Sequence, residues 1–165
     1  MTQSIPGVAP PQTSEVTNMT VWPTMGASPL GRRLGQLYQI KGGFWSFTLG
    51  HLIALLSIPI ALPLFSYMLL PGVTRRYRLT NRRIVVQRGL TAQDERWVEL
   101  DRFDTIEVVV LPGQEWYHAG DLVFRNGPTE TMRLSGVSRP ETFRQTCLKA
   151  HDSFVGVKKI MQTTG

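Results

Sequence analysis

Residues 77–90 read Tyr77-Arg78-Leu79-Thr80-Asn81-Arg82-Arg83-Ile84-Val85-Val86-Gln87-Arg88-Gly89-Leu90. Tyr77 and Leu79 alternate with Arg78 and Thr80, the period of two expected of a strand with one buried face. Asn81-Arg82 offers a turn. Arg83 to Leu90, built around the β-branched run Ile84-Val85-Val86, reads as a second strand that Gly89 closes. A strand-turn-strand unit cannot bury its apolar face alone, so the flanking sequence must supply the rest of a sheet.

Downstream it does. Glu95 to Leu100 alternates around Trp97, and Thr105 to Leu111 (TIEVVVL) is strongly β-branched until Pro112-Gly113 breaks it. Asp121 to Arg125 and Thr131 to Leu134 flank Asn126-Gly127, a hairpin turn signal. Six short strands with close turns predict an antiparallel barrel or sandwich. Ser138-Arg139-Pro140-Glu141 then reads as a helix start, with Ser138 as the N-cap. Phe143, Cys147, Ala150 and Phe154 make one apolar stripe. The fold class expected is mainly β with α: six or seven strands over residues 74–157, capped by a C-terminal helix. Residues 158–165 are left as a tail.

Upstream the composition changes. Phe44 to Val73 contains no Asp, Glu, Lys or Arg over thirty residues, whereas Thr74 to Arg88 holds six arginines and no acid. A spanning helix needs about 20 apolar residues. Residues 44–73 are therefore expected to be a membrane segment. Pro59 and Pro63 near its middle allow either one kinked span or a hairpin turning there, with basic flanks at both ends favouring the hairpin. Phe44, Trp45 and Tyr67 suit interfacial anchors, and His51 suits a position near the interface or a helix contact, with a functional polar group inside the run as the other reading. Residues 29–43 form a short basic, amphipathic stretch, with Leu34, Leu37 and Tyr38 on one face. Residues 1–28 carry Glu15 as their one charge and are rich in Pro, Ser and Thr, which predicts a largely disordered polar tail, Val21-Trp22 being the exception that suits packing or an interface. A secretory leader fits poorly, because the apolar run begins late and is too long.

The formal net charge is +6. Arg75, Arg76, Arg78, Arg82, Arg83 and Arg88 account for it, since the other twelve basic residues match the twelve acidic ones. An excess concentrated beside an apolar segment points to anionic lipid rather than nucleic acid. These six arginines are the candidate membrane-surface residues. Trp116, Tyr117 and His118, in the loop after Pro112-Gly113, are a candidate partner contact. The single Cys147 excludes an internal disulfide, and the three histidines show no ligand spacing, so no metal or other cofactor is expected. The acid pairs Asp94-Glu95 and Asp101/Asp104 fall at strand ends where turns are solvated. No phosphate-binding glycine loop or nucleophile-base set is present, and an enzyme is not expected.

The strand-turn-strand of Tyr77 to Leu90, together with Trp97-Val98-Glu99-Leu100-Asp101-Arg102-Phe103, Gly120-Asp121-Leu122-Val123-Phe124 and Leu134-Ser135-Gly136-Val137, resembles the bacterial pleckstrin-homology-like (PH-like) domain of membrane proteins. The resemblance implies a PH-like barrel next to an apolar segment, at the cytoplasmic face of the inner membrane. It implies no reaction. The expected role is a membrane-anchored module that binds anionic lipid head groups or a protein partner, with the first strand pair and its turn as the site. The alternative is an oligomeric membrane scaffold without lipid specificity.

Overall fold

The structure, a computed structural model, describes residues 15–40, 43–44, 47–70, 74–89 and 91–164. Residues 1–14 of the expected tail, Trp45 and the end of the apolar run at 71–73 lie outside the described residues. Two antiparallel sheets and a long helix make up the body. The first sheet has the order β1 (Thr17–Val21), β4 (Arg75–Thr80), β5 (Arg83–Arg88), β6 (Gln93–Glu99). The second has the order β7 (Thr105–Val109), β8 (Ala119–Asn126), β9 (Thr129–Ser138). All six expected strands form, and β8 and β9 turn at Asn126-Gly127, where Gly127 takes a φ of +57°.

The core lies between the sheets. Leu79, Ile84, Val86 and Val98 of the first meet Ile106, Leu122, Phe124 and Leu134 of the second. Helix α4 (Pro140–Thr164) closes one end with Phe143 and Cys147, both fully buried, while Ala150 and Phe154 pack beside them. The apolar surroundings push the Cys147 thiol up to about 12. The helix begins one residue later than expected of an Ser138 cap. Ser138 ends β9, Arg139 takes a positive φ of 48°, and Pro140 occupies the first turn. It also runs through the expected tail, with Lys158 bonded to Asp101.

A strand in residues 17–21 departs from the expected disordered tail. Val21 faces Tyr77, Thr20 faces Arg78 and Met19 faces Leu79, so β1 covers the free edge of β4. Val21 is 9% exposed and belongs to the core. The strand does not need apolar content of its own beyond Met19 and Val21, because β4 supplies the pairing edge and the second sheet supplies the burial. The hairpin of β4 and β5 therefore supplies the second and third of the seven strands in the two main sheets, not the first pair.

Between β1 and β4 the chain makes a helical excursion. Thr24 and Pro23 pair with β9 at Gly136 and Val137, and α1 (Pro29–Tyr38) follows, capped by Ser28 accepting from Gly31 N–H at 3.0 Å. A two-residue ribbon, β2 (Gly43–Phe44) and β3 (Phe47–Thr48), leads into α2 (Leu49–Leu56) and α3 (Ile58–Leu69). The break between these helices falls at Ser57, ahead of the expected turn at Pro59–Pro63, and the two are bent by 65°. Pro59 sits in the first turn of α3, where its missing N–H is tolerated, while its ring would clash with the last turn of α2 were the helix continuous. Among the described residues no single helix is long and apolar enough to cross a membrane; the bent pair passes that test by length and composition together.

One buried polar network fixes how this excursion leaves the body. Asp121, 2% exposed, accepts from the Gly136 N–H at 2.9 Å and from the Gln114 side chain at 2.7 Å. Gln114, fully buried, also donates to the Gly26 carbonyl at 3.2 Å and accepts from the Leu111 N–H at 2.9 Å. Next to it, α1 approaches the 111–117 loop so closely that a Cβ on Gly35 would collide with the Gly113 carbonyl.

If β1 is part of the core, Val21→Asp buries an unpaired carboxylate and should cost about 3 kcal/mol or more. Val16→Asp, at a position 39% exposed, should change stability by less than about 0.5 kcal/mol. Equilibrium chemical denaturation reads both; equal, small effects would return this segment to a loose tail.

Candidate functional site

The register of β4 against β5 sorts the six expected arginines into three places. Arg76 pairs with Gln87 and Arg78 with Val85, on the face opposite the buried Tyr77 and Leu79. This is the outer face of the first sheet. Val85 is nevertheless fully buried, because its register neighbours Arg78 and Trp97 flank it with long side chains. Arg83 joins this face and donates two hydrogen bonds to Glu15, at 2.8 and 3.0 Å. It also lies 3.6 Å from Asp94 and 5.7 Å from the centre of the Trp97 ring. Arg83 is thus a clasp between the entry to β1 and the outer face.

Arg82 sits at the turn beyond β4, beside α4. A groove of about 1000 Å³ opens there, lined by Arg82, Lys149, Phe154, Val157 and Lys158. Arg75 and Arg88 face each other at the opposite end of the hairpin, on the order of 20 Å away at about 3.3 Å per strand residue. Arginines adjacent in sequence are therefore not one patch. A hairpin joins its two ends and sends its turn away.

Arg75 and Arg88 stand at the mouth of the barrel, the end nearest α3. Two arginines not expected from the sequence join them: Arg96, whose row runs from Val21 through Tyr77 and Val86, and Arg133 of β9. The four line a cavity of about 610 Å³. Its floor is rigid. Tyr77 donates its hydroxyl to the Ser135 carbonyl at 2.8 Å, and burial pushes that hydroxyl up to about 12. Leu64 and Phe65 of α3 line it as well, together with Trp22. The expected anchor Tyr67 also lines it. Arg75 pairs with Glu95 at 3.1 Å, and Arg133 with Glu130 at 3.0 Å. Arg96 and Arg133 come from strands whose pairing a single sequence does not reveal; the faint signal was Arg96 in an otherwise acidic start to β6.

The Trp116-Tyr117-His118 loop packs on the chain's own helices. Tyr117 is half-buried and donates its hydroxyl to the Gly31 carbonyl at 3.0 Å. Trp116 meets Tyr38 and His51 edge-on, at 5.4 and 5.7 Å between ring centres. Tyr38 in turn hydrogen-bonds Ser57 at the helix break. His118 is exposed and takes a left-handed conformation that ends a short 3-10 turn. The first two residues couple the helical excursion to the barrel. Among the described residues, no three His, Cys, Asp or Glu side chains cluster as a metal site.

Seven antiparallel strands, four and three, closed at one end by a C-terminal helix, define a PH-like domain. The chain belongs to the bacterial PH domain family, whose model matches residues 29–151. No curated protein and no solved structure matches it. The matched span starts at α1, so it takes in the helical excursion as well as the strands from β4 onward.

The Arg83 guanidinium, by its hydrogen bonds, is the largest cause holding the Glu15 carboxyl below its usual 4.5. A depressed folded value means that this pair stabilises fully above pH 4.5 and loses its contribution as pH falls through the lower folded value. Amide exchange at Val16 to Val21 should therefore accelerate on acidification below 4.5. Glu15→Gln should exchange faster at neutral pH and lose most of that pH dependence.

Proposed function

We propose that this chain is a non-enzymatic, membrane-anchored PH-like module that docks on the anionic cytoplasmic face of the inner membrane. The observation that carries the reading is the surface of α2 and α3. Leu52, Leu55, Leu56, Ile58, Ile60, Leu62 and Phe65 are between 47% and 79% exposed, on two helices without a charged residue. A contiguous apolar surface of this kind marks an interaction with lipid or protein rather than a wetted face. The sheet pairing supports entry and return on one face. Val21 and Tyr77 are register partners, so the chain leaves and rejoins the same sheet. An excursion with both ends on one sheet makes no net crossing, which favours entry and return on one face over a single span. Arg32 and Arg33 before it and the arginines after it agree with both ends on the cytoplasmic side.

PH-like folds are binding modules more often than catalysts, and function rests on the site rather than the fold. A second reading, an oligomeric scaffold without lipid specificity, draws on Val157 and Ile160 of α4, which are 52% and 68% exposed.

Flotation of the full chain with phosphatidylglycerol vesicles tests the first reading. Leu55→Asp with Leu56→Asp places two carboxylates on the apolar surface, at about 3 kcal/mol each in hydrocarbon. The variant should stay at the bottom of the gradient while its barrel melts at the wild-type temperature. Flotation equal to wild type would overturn the membrane reading, and a stable dimer in lipid-free detergent would favour the scaffold.

A further inference from the structure

We infer that the cavity between the barrel mouth and α3 is a site for one anionic phospholipid, its phosphate held by Arg75, Arg88, Arg96 and Arg133 and its acyl chains lying along Leu64 and Phe65. The inference rests on the docked reading above and gives it a chemical specificity. Three observations carry it.

The first is charge crowding. The register sets Arg75 directly opposite Arg88, and Arg96 enters the same mouth from the next strand. Like charges opposite one another weaken a strand pair. Among the described residues no carboxylate lines the cavity; Glu95 and Glu130 reach Arg75 and Arg133 from outside it, and the buried Asp121 lies 3.7 Å from Arg133. An anion in the mouth offsets that repulsion, and guanidinium forks match phosphate oxygens in pairs.

The second is the apolar lining. Leu64, Phe65 and Trp22 line the same space as the arginines, and Phe65 and Trp22 are 48% and 52% exposed. An inorganic anion would use the guanidiniums and leave this lining bare. An amphiphile with a phosphate at one end and alkyl chains at the other uses both. The third is preorganisation. Tyr77 bonded to Ser135 at 2.8 Å, and Thr24 N–H bonded to Gly136 at 2.8 Å, hold floor and rim in place without a ligand. A volume of about 610 Å³ takes a glycerophosphate head and the first part of its chains.

The test is native mass spectrometry of the full chain in non-ionic detergent with added phosphatidylglycerol or phosphatidylcholine. Wild type should retain phosphatidylglycerol about tenfold better than phosphatidylcholine. Arg88→Gln with Arg96→Gln, both exposed at the rim, should reduce that retention about tenfold, whereas Arg76→Gln with Arg78→Gln on the outer face should change it by less than about twofold. Inorganic phosphate at equal concentration should not displace the lipid; displacement would assign the mouth to a free anion and overturn the inference. Retention by the Arg88/Arg96 variant equal to wild type would overturn it as well. Vesicle flotation separates this from the parent reading. The Arg88/Arg96 variant should still float through α2 and α3, and a wild-type chain that does not float would defeat the docking itself.

Discussion

A carboxylate taken out of water costs several kcal/mol unless its lone pairs are met by well-placed donors. Asp121 is such a group, and the donors that meet it come from distant parts of the chain. Gly136 brings β9, and Gln114 brings the loop after β7 and, through its second bond, the Gly26 carbonyl. Each partner is thereby fixed relative to the others. With Gly26 placed, the chain after β1 must run along β9 before α1 starts. With the 111–117 loop placed, Tyr117 and Gly113 form the seat on which α1 lies. The attachment of the helical excursion thus follows from satisfying one buried acid.

The arginines divide by their place in the fold. Those on the outer face cover Val85, clasp Glu15 or lie near Trp97. Those at the mouth share one cavity with Leu64 and Phe65 of α3. Charge and hydrophobicity, which the sequence segregates into consecutive blocks, are folded together. The juxtaposition is a property of the seven-strand closure and not of composition.

The readable parts of this chain were those governed by local period. Tyr77 to Arg88 alternates, TIEVVVL is β-branched, Asn126-Gly127 turns, and the stripe of Phe143 and Cys147 goes into the core as its spacing requires. Residues 17–21 escaped because their strand is made by its partner: Thr17, Met19 and Val21 alternate, but in a polar Pro-rich context the signal is faint until β4 offers an edge. In the sequence the prolines mark the expected turn, whereas in the fold Pro59 acts one turn upstream and moves the helix break to Ser57. For the candidate site, Arg75 and Arg88 were legible as part of a basic run. Arg96 and Arg133 were not, since their membership depends on which strands lie side by side. The same dependence gives Trp116 and Tyr117 contacts with the chain's own helices that their place in the sequence does not reveal.

The pairing of β1 with β4 also sets an order of events during synthesis. When Thr17–Val21 emerges, its partner strand is still unmade, and the whole of α1, α2 and α3 must be produced first. Closing a loop of that length is slow to be rewarded, since its entropy is lost before the contact forms. The helices are thus available to find their surroundings while β1 is unpaired and the barrel open. Once β4 adds to β1, the excursion is locked between two strands and cannot be rethreaded without unzipping the sheet.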